Sequence, residues 1–171
     1  MSARGAEGHT QPTRVASAHL PRGLRDALLT FESAVGGDIP WAVDGSTALA
    51  LQGIDLVPED IDILTDREGA YAIGHRLKEF VVRPVAYGRT QRYSSHFGTL
   101  SMRGVRIDVM GNLKTFRNGK WTKTQNPSSV KLRRVAVGER LIPVVSLDSL
   151  SGTGYFEERL RRSRGRGARR P

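Results

Sequence analysis

The stretch W-A-V-D-G-S-T-A-L-A-L-Q-G-I-D-L-V-P-E-D-I-D-I-L-T-D, residues 41–66, decides the fold of this chain. It continues a short apolar strand, read as Ile39 to Val43 with Pro40 near its beginning. Asp44-Gly45 is a pair that favours a hairpin turn, but residues 46–52 are rich in helix formers and do not alternate. The unit therefore reads as strand, Gly-Ser turn and short helix, with Ser46 as N-cap and Gly53 as the stop. After the Val57-Pro58-Glu59 loop, Asp60-Ile61-Asp62-Ile63-Leu64 reads as a second strand. Alternation turns Ile61 and Ile63 inward and leaves Asp60 and Asp62 together on the outer face.

Two carboxylates on one strand face repel each other unless water screens them or cations neutralise them. Mg²⁺ takes oxygen ligands, usually one or two carboxylates together with substrate phosphates. Gly45 allows close approach of backbone to a ligand, the Ser46 hydroxyl can donate to a phosphate oxygen, and a helix start favours anions. Thirteen residues separate Ser46 from Asp60, enough for a short helix and a return loop, so turn and acidic strand can meet at one end of a sheet. Asp108 is a third acid, in the alternating run Val105-Arg106-Ile107-Asp108-Val109, where Arg106 and Asp108 share a face. Were its strand beside that of Asp60 and Asp62, three carboxylates would suit two ions about 3.5–4 Å apart, an arrangement used for in-line phosphoryl transfer. Taken singly, Asp-x-Asp is more often a solvated strand face and Gly-Ser an ordinary cap; the conjunction carries the reading.

Outward from this stretch, Pro21 to Val35 reads as a helix with Leu24, Ala27, Leu28, Phe31 and Val35 as its apolar stripe. Asp66 to Phe80 reads as another, capped by Asp66. Beyond Pro84 the pattern turns to strands: Val81 to Tyr87, Arg92 to Met102, Val105 to Met110, Val130 to Val137 and Leu141 to Val145, with a hairpin signal at Asn118-Gly119. Ser146 to Leu150 can open a final helix, which Gly152 and Gly154 interrupt. The order implies an α+β domain with a mixed or antiparallel sheet.

The 171 residues fit one domain. Composition divides them into a polar segment 1–20, expected to be disordered, a folded domain 21–150, and an Arg-rich tail 151–171. The net charge is +10, and the seven arginines of residues 159–171 supply most of it. Such a tail reads as a solvated or nucleic-acid-binding arm. The absence of cysteine excludes disulfides and cysteine-ligated zinc. With no apolar run of membrane-span length and no signal-peptide core, the expected location is the cytoplasm. His75 and His96 read as structural or exposed, Trp41 and Trp121 as packing residues, and Asp44, Asp55 and Asp66 as turn and cap residues. Arg89, Arg92, Arg103 and Arg106 fit either solvated strand faces or contacts to phosphate or RNA.

Asp44-Gly45-Ser46, Asp60-Ile61-Asp62 and Ile107-Asp108-Val109 resemble the signature of the DNA polymerase beta-like nucleotidyltransferase superfamily. That signature is a hydrophobic strand ending in Gly-Gly or Gly-Ser, then an Asp-hydrophobic-Asp/Glu-hydrophobic strand, then a later carboxylate. The likeness covers roughly residues 22–150 and is nearest the small prokaryotic branch of antibiotic adenylyltransferases and toxin–antitoxin nucleotidyltransferases, also through Ile142-Pro143-Val144-Val145-Ser146-Leu147-Asp148-Ser149-Leu150. It implies the nucleotidyltransferase fold, a mixed, mostly antiparallel sheet flanked by helices. It implies that Asp60, Asp62 and Asp108 bind two Mg²⁺ ions, with Mn²⁺ as an alternative, and that Asp108 assists deprotonation of the attacking hydroxyl. Gly45 and Ser46 would hold the β- and γ-phosphates of an NTP, ATP first among them. The implied reaction moves a nucleoside monophosphate to an acceptor hydroxyl (RNA, protein or small compound) and releases pyrophosphate. The segment after Leu150 departs from the family's C-terminal helix by breaking into arginines, and no second helical domain follows, so a homodimer partner could complete the substrate site. The competing reading is a nucleotidyltransferase fold that no longer catalyses and serves as an antitoxin or RNA-binding module. A nuclease using Asp-x-Asp would have no need of the Gly-Ser turn.

Overall fold

The computed structural model describes residues 20–151, 156–158 and 161. Of the segment 1–20 expected to be disordered, residues 1–19 lie outside the described residues, as do the glycines at 152 and 154 and most of the arginine tail; Leu20 departs from that expectation, since it is buried. Helix α1, Arg22–Val35, is followed by β1, Trp41–Asp44, then α2, Gly45–Leu51, β2, Ile61–Thr65, and α3, Arg67–Arg76. A 3₁₀ turn, Lys78–Phe80, leads into β3, Val81–Arg89, β4, Tyr93–Met102, and β5, Val105–Arg117. The short β6, Lys120–Trp121, then β7, Leu132–Val137, β8, Arg140–Val145, and α4, Leu147–Ser151, complete the described elements.

One sheet takes the order β3-β4-β5-β2-β1-β8-β7, with β6 hanging from β5. Neighbours pair antiparallel except β1 with β8 and β2 with β5, which run parallel. This is the mixed, mostly antiparallel α+β sheet expected from the sequence. Its two parallel pairs are the long-range ones, because parallel neighbours need a crossover while hairpins join antiparallel strands. The β5–β6 hairpin turns at Asn118-Gly119, both at positive φ (48° and 75°), as a two-residue primed turn requires.

The apolar stripe of α1 packs down on the sheet: Leu28, Phe31 and Val35 are fully buried, and Phe31 meets Trp41 edge-on at 5.1 Å. Ile61, Ile63, Ile107 and Val109 are buried in the same core. Helix α3 lies close to β5 because Gly111 has no side chain; a Cβ there would come within 2.7 Å of the Asp66 carbonyl oxygen and 2.8 Å of Ala70 Cβ. Asp66 caps α3 by accepting the Gly69 N–H at 2.6 Å. Leu20 is buried in the core, and Phe156 packs half-buried against it.

Several boundaries differ from the sequence reading. The helix expected over 66–80 ends at Arg76 and re-forms as the 3₁₀ turn, with Gly74 in its last turn weakening the helix. The strand expected from Ile39 begins at Trp41, after Pro40, and that expected from Asp60 begins at Ile61. The N-cap of α2 is Asp44 and not Ser46: the Asp44 side chain accepts the Gly45 N–H at 2.8 Å, and Ser46 lies inside the helix. Strand β5 runs on to Arg117, well past Met110.

Candidate active site

The opposite face of the sheet from α1 carries a cavity of about 540 Å³, a usual size for a small-molecule site. Its floor is set by strand register. Asp44 on β1 stands opposite Asp62 on β2, and Asp62 stands beside Asp108 on β5. Thr99 on β4 pairs with Asp108 in the next register position and donates its hydroxyl to Asp108 Oδ1 at 2.8 Å. A row of four polar side chains thus crosses four adjacent strands. Neighbouring strands lie about 4.8 Å apart, so the row brings three carboxylates side by side although 45 residues of chain separate Asp62 from Asp108. Asp44, Gly45, Asp62 and Asp108 all line the cavity.

Gly45 is fitted to this place by its backbone. Its φ is +62°, and a Cβ would collide with Asp62 Oδ2. The carboxylate of Asp62 therefore lies against the Gly45 backbone, which only glycine permits. Ser46 is 2% exposed in the first turn of α2 and does not line the cavity. Asp60 lies just before β2, half-buried and outside the cavity lining; its carbonyl accepts the Thr47 hydroxyl at 2.7 Å, which fastens α2 to the start of β2.

Arg106 binds the row together electrostatically. Its guanidinium donates from Nε to Asp108 Oδ1 at 3.0 Å and contacts Asp108 Oδ2 from Nη2 at 2.8 Å. The hydrogen bond and charge of Asp108, with further attraction from Asp60 and Asp62, hold its pKa above the ordinary arginine value. All three acids expected at the site thus act on one guanidinium, Asp108 by direct contact and Asp60 and Asp62 through their charge. At an effective dielectric of 20, two carboxylates about 5 Å apart repel by about 3 kcal/mol, and Arg106 offsets that repulsion where Asp108 is 7% exposed. Asp44 differs: burial pushes its carboxyl above the ordinary value, and the Gly45 N–H only partly opposes this.

The donors are carboxylate oxygens, the chemistry a hard cation takes. Asp62 and Asp108 stand in adjacent register, as ligands sharing an ion would. Among the described residues, however, no three His, Cys, Asp or Glu side chains converge closely enough to enclose an ion. The set fits Mg²⁺ held by one or two carboxylates plus phosphate oxygens of a substrate, with Arg106 as the cation's competitor at Asp108.

Two residues at this site carry more than the sequence suggested. Asp44 was legible as a cap, which it is, but its place beside Asp62 follows only from the antiparallel register. Arg106 was legible as sharing a face with Asp108 two residues on, and the structure turns that into a bidentate contact. His96 is structural: it sits between Tyr71 and Tyr87, 3.2 Å from the Tyr71 hydroxyl.

A mixed sheet with a strand–Gly-Ser–helix unit beside an in-register carboxylate row defines the nucleotidyltransferase class. The chain belongs to the aminoglycoside-2''-adenylyltransferase family, whose model matches residues 28–160. It is also similar to a crystal structure from Thermotoga maritima named as a nucleotidyltransferase, with 31% identity, 84% of this chain and 86% of that chain covered, and a TM-score of 0.65. Among curated proteins none matches. The chain is accordingly a nucleotidyltransferase of the small branch to which the antibiotic adenylyltransferases belong.

Proposed function

We propose that the protein transfers a nucleoside monophosphate from an NTP, ATP first, to an acceptor hydroxyl and releases pyrophosphate. The observation that carries this reading is the register that sets Asp62 beside Asp108 with the Gly45 backbone against Asp62, all on one cavity. Asp62 and Asp108 would hold Mg²⁺, with Asp60 at the edge of the group. Bound there, Mg²⁺ would neutralise triphosphate charge and polarise the reacting oxygens.

Gly45 lets the phosphates approach the end of β1 without a side chain in the way. Ser46 is buried in the first turn of α2 and outside the cavity lining, so the cradle rests on Gly45. The acceptor oxygen forms a bond to the α-phosphorus as the bond from that phosphorus to the bridging oxygen breaks. The electron pair leaves with pyrophosphate, and the hydroxyl proton passes to the Asp108 carboxylate and on to solvent. Thr99 and Arg106 fix the orientation of Asp108 for that step. The family name suggests an aminoglycoside hydroxyl as acceptor; RNA and protein hydroxyls remain open to the same chemistry. No helix among the described residues is long and apolar enough to cross a membrane.

The test is incubation with ATP labelled at the α-phosphate, Mg²⁺ and separate pools of aminoglycoside, RNA and protein. Label should enter one pool with the wild type and none with Asp62→Asn. Equal labelling by both proteins would refute the assignment.

A further inference from the structure

The cavity has two unlike walls. At one end lie the carboxylates and Gly45; at the other, β3, β4 and β5 contribute Arg83, Arg89, Arg117, Tyr93 and Phe97. None of these three arginines has a carboxylate within salt-bridge distance among the described residues. Two of them lie over rings instead: Arg83 is 5.0 Å from the Phe97 ring centroid and Arg89 4.7 Å from that of Trp121. A guanidinium stacked on an aromatic face keeps its own plane and its N–H edge available. Tyr93 is half exposed beside them. The positive character extends past the cavity, since residues 81–125 carry nine lysines and arginines and a single acid, Asp108.

In-line transfer places the entering hydroxyl on the side of the α-phosphorus opposite the leaving pyrophosphate. With the phosphate cradle at Gly45 on β1, the acceptor side of the carboxylate row is its other end, toward β4 and β3. We infer that this arginine–aromatic wall receives a polyanionic acceptor, the end of a single-stranded nucleic acid. Phosphates meet Arg83, Arg89 and Arg117, and bases stack on Tyr93 and on the guanidinium planes. A cationic aminoglycoside would meet like charge on the same wall. The inference rests on the transfer reading for which side is the acceptor's, and on the wall's own composition for the ligand class.

The experiment uses the full chain and a fluorescent single-stranded RNA oligonucleotide of mixed sequence, followed by anisotropy over a range of salt. MgATP binding is measured in parallel by calorimetry. The variant Arg83→Gln/Arg89→Gln/Arg117→Gln should weaken RNA binding at least tenfold and lower the slope of log K against log salt by about 2, since each single-strand phosphate contact contributes about 0.7. Its MgATP affinity should stay within about twofold, because the cradle lies at the other end of the row. Tyr93→Ala, which removes no charge, should weaken RNA binding by about fivefold or more with the salt slope unchanged, and serves also if the triple variant misfolds.

Unchanged RNA binding in both variants overturns the inference and leaves any RNA affinity to the arginine tail. A parallel loss of MgATP affinity in the triple variant overturns it too, since the arginines would then serve the triphosphate. Failure of the wild type to bind RNA while it binds MgATP sinks the inference alone. Wall-dependent RNA binding with no MgATP binding overturns the acceptor role and the transfer reading together.

Discussion

Residues 41–80 and residues 81–125 are neighbours in one sheet and opposites in charge. The first region carries eight acids and three bases; the second carries nine bases and one acid. The single acid of the basic region is Asp108, and the parallel pairing of β2 with β5 delivers it to the acidic side. The seam between the two regions is therefore the site, and Arg106 is the stitch across it. A sheet that merely needed solubility would mix its charges. Here one wall repels anions unless a cation mediates and the other attracts them directly, a division suited to a triphosphate at one end and an anionic acceptor at the other.

The division of charge loses its meaning most completely if its acids are interchangeable with amides. Asp62→Asn and Asp108→Asn should each reduce nucleotide transfer by at least about a hundredfold, since even partners that only orient metal ligands are worth about 10–100-fold. Retention of turnover in either variant would show that the acidic side is only a solvated strand face. Next in size, Gly45→Ala should destabilise the fold by about 1–3 kcal/mol through its left-handed backbone and weaken MgATP binding, because the new Cβ displaces Asp62. Denaturant melts and calorimetry check the two parts; a variant as stable and as tightly binding as wild type would refute the close contact.

Removing the stitch tests the seam itself. Arg106→Ala leaves the buried Asp108 with Thr99 alone and should cost about 1–2 kcal/mol, the value of a charged hydrogen bond discounted for an exposed guanidinium. Arg106→Lys should recover part of that. A neutral outcome in urea titration would mean water replaces the guanidinium without loss.

The smallest effect has the opposite sign. Burial raises the Asp44 carboxyl above its ordinary range, so its contribution to stability is present in acid and lost as pH rises through the folded value. Asp44→Asn should raise the melting temperature at pH 7 and do so less as the pH falls below 4. An equal change at both pH values would show that Asp44 is not desolvated.

Much of the first region could be read from the chain. The strand–Gly-Ser–helix–strand unit is local, and each boundary has a chemical mark: Pro40 before β1, Gly45 at the turn, Asp66 before α3. What could not be read was register. Nothing near Asp44 says that it stands opposite Asp62, and nothing near Asp108 says that β5 lies against β2, because those pairings join distant segments. The basic wall was illegible for a further reason. Irregular pairing between β3 and β4 separates Arg83, over Phe97 in the cavity, from Val85, which packs toward Gly74 of α3, although the two are two residues apart. Along β5 the cavity is lined by Asp108 and Met110, then by Leu113, Thr115 and Arg117. The switch from even to odd follows the positive φ of Asn112 and the register shift opposite it. A strict period of two would have sent those arginines to the wrong faces.

On the proposed reading, the in-register acids and the Gly45 backbone form one triphosphate site. Calorimetric titration of ATP into the wild type and into Asp62→Asn/Asp108→Asn, each with Mg²⁺ and with EDTA, tests it most directly. Binding by the wild type should require Mg²⁺ and be absent from the double variant. Equal ATP binding by both proteins, or binding indifferent to Mg²⁺, would contradict it.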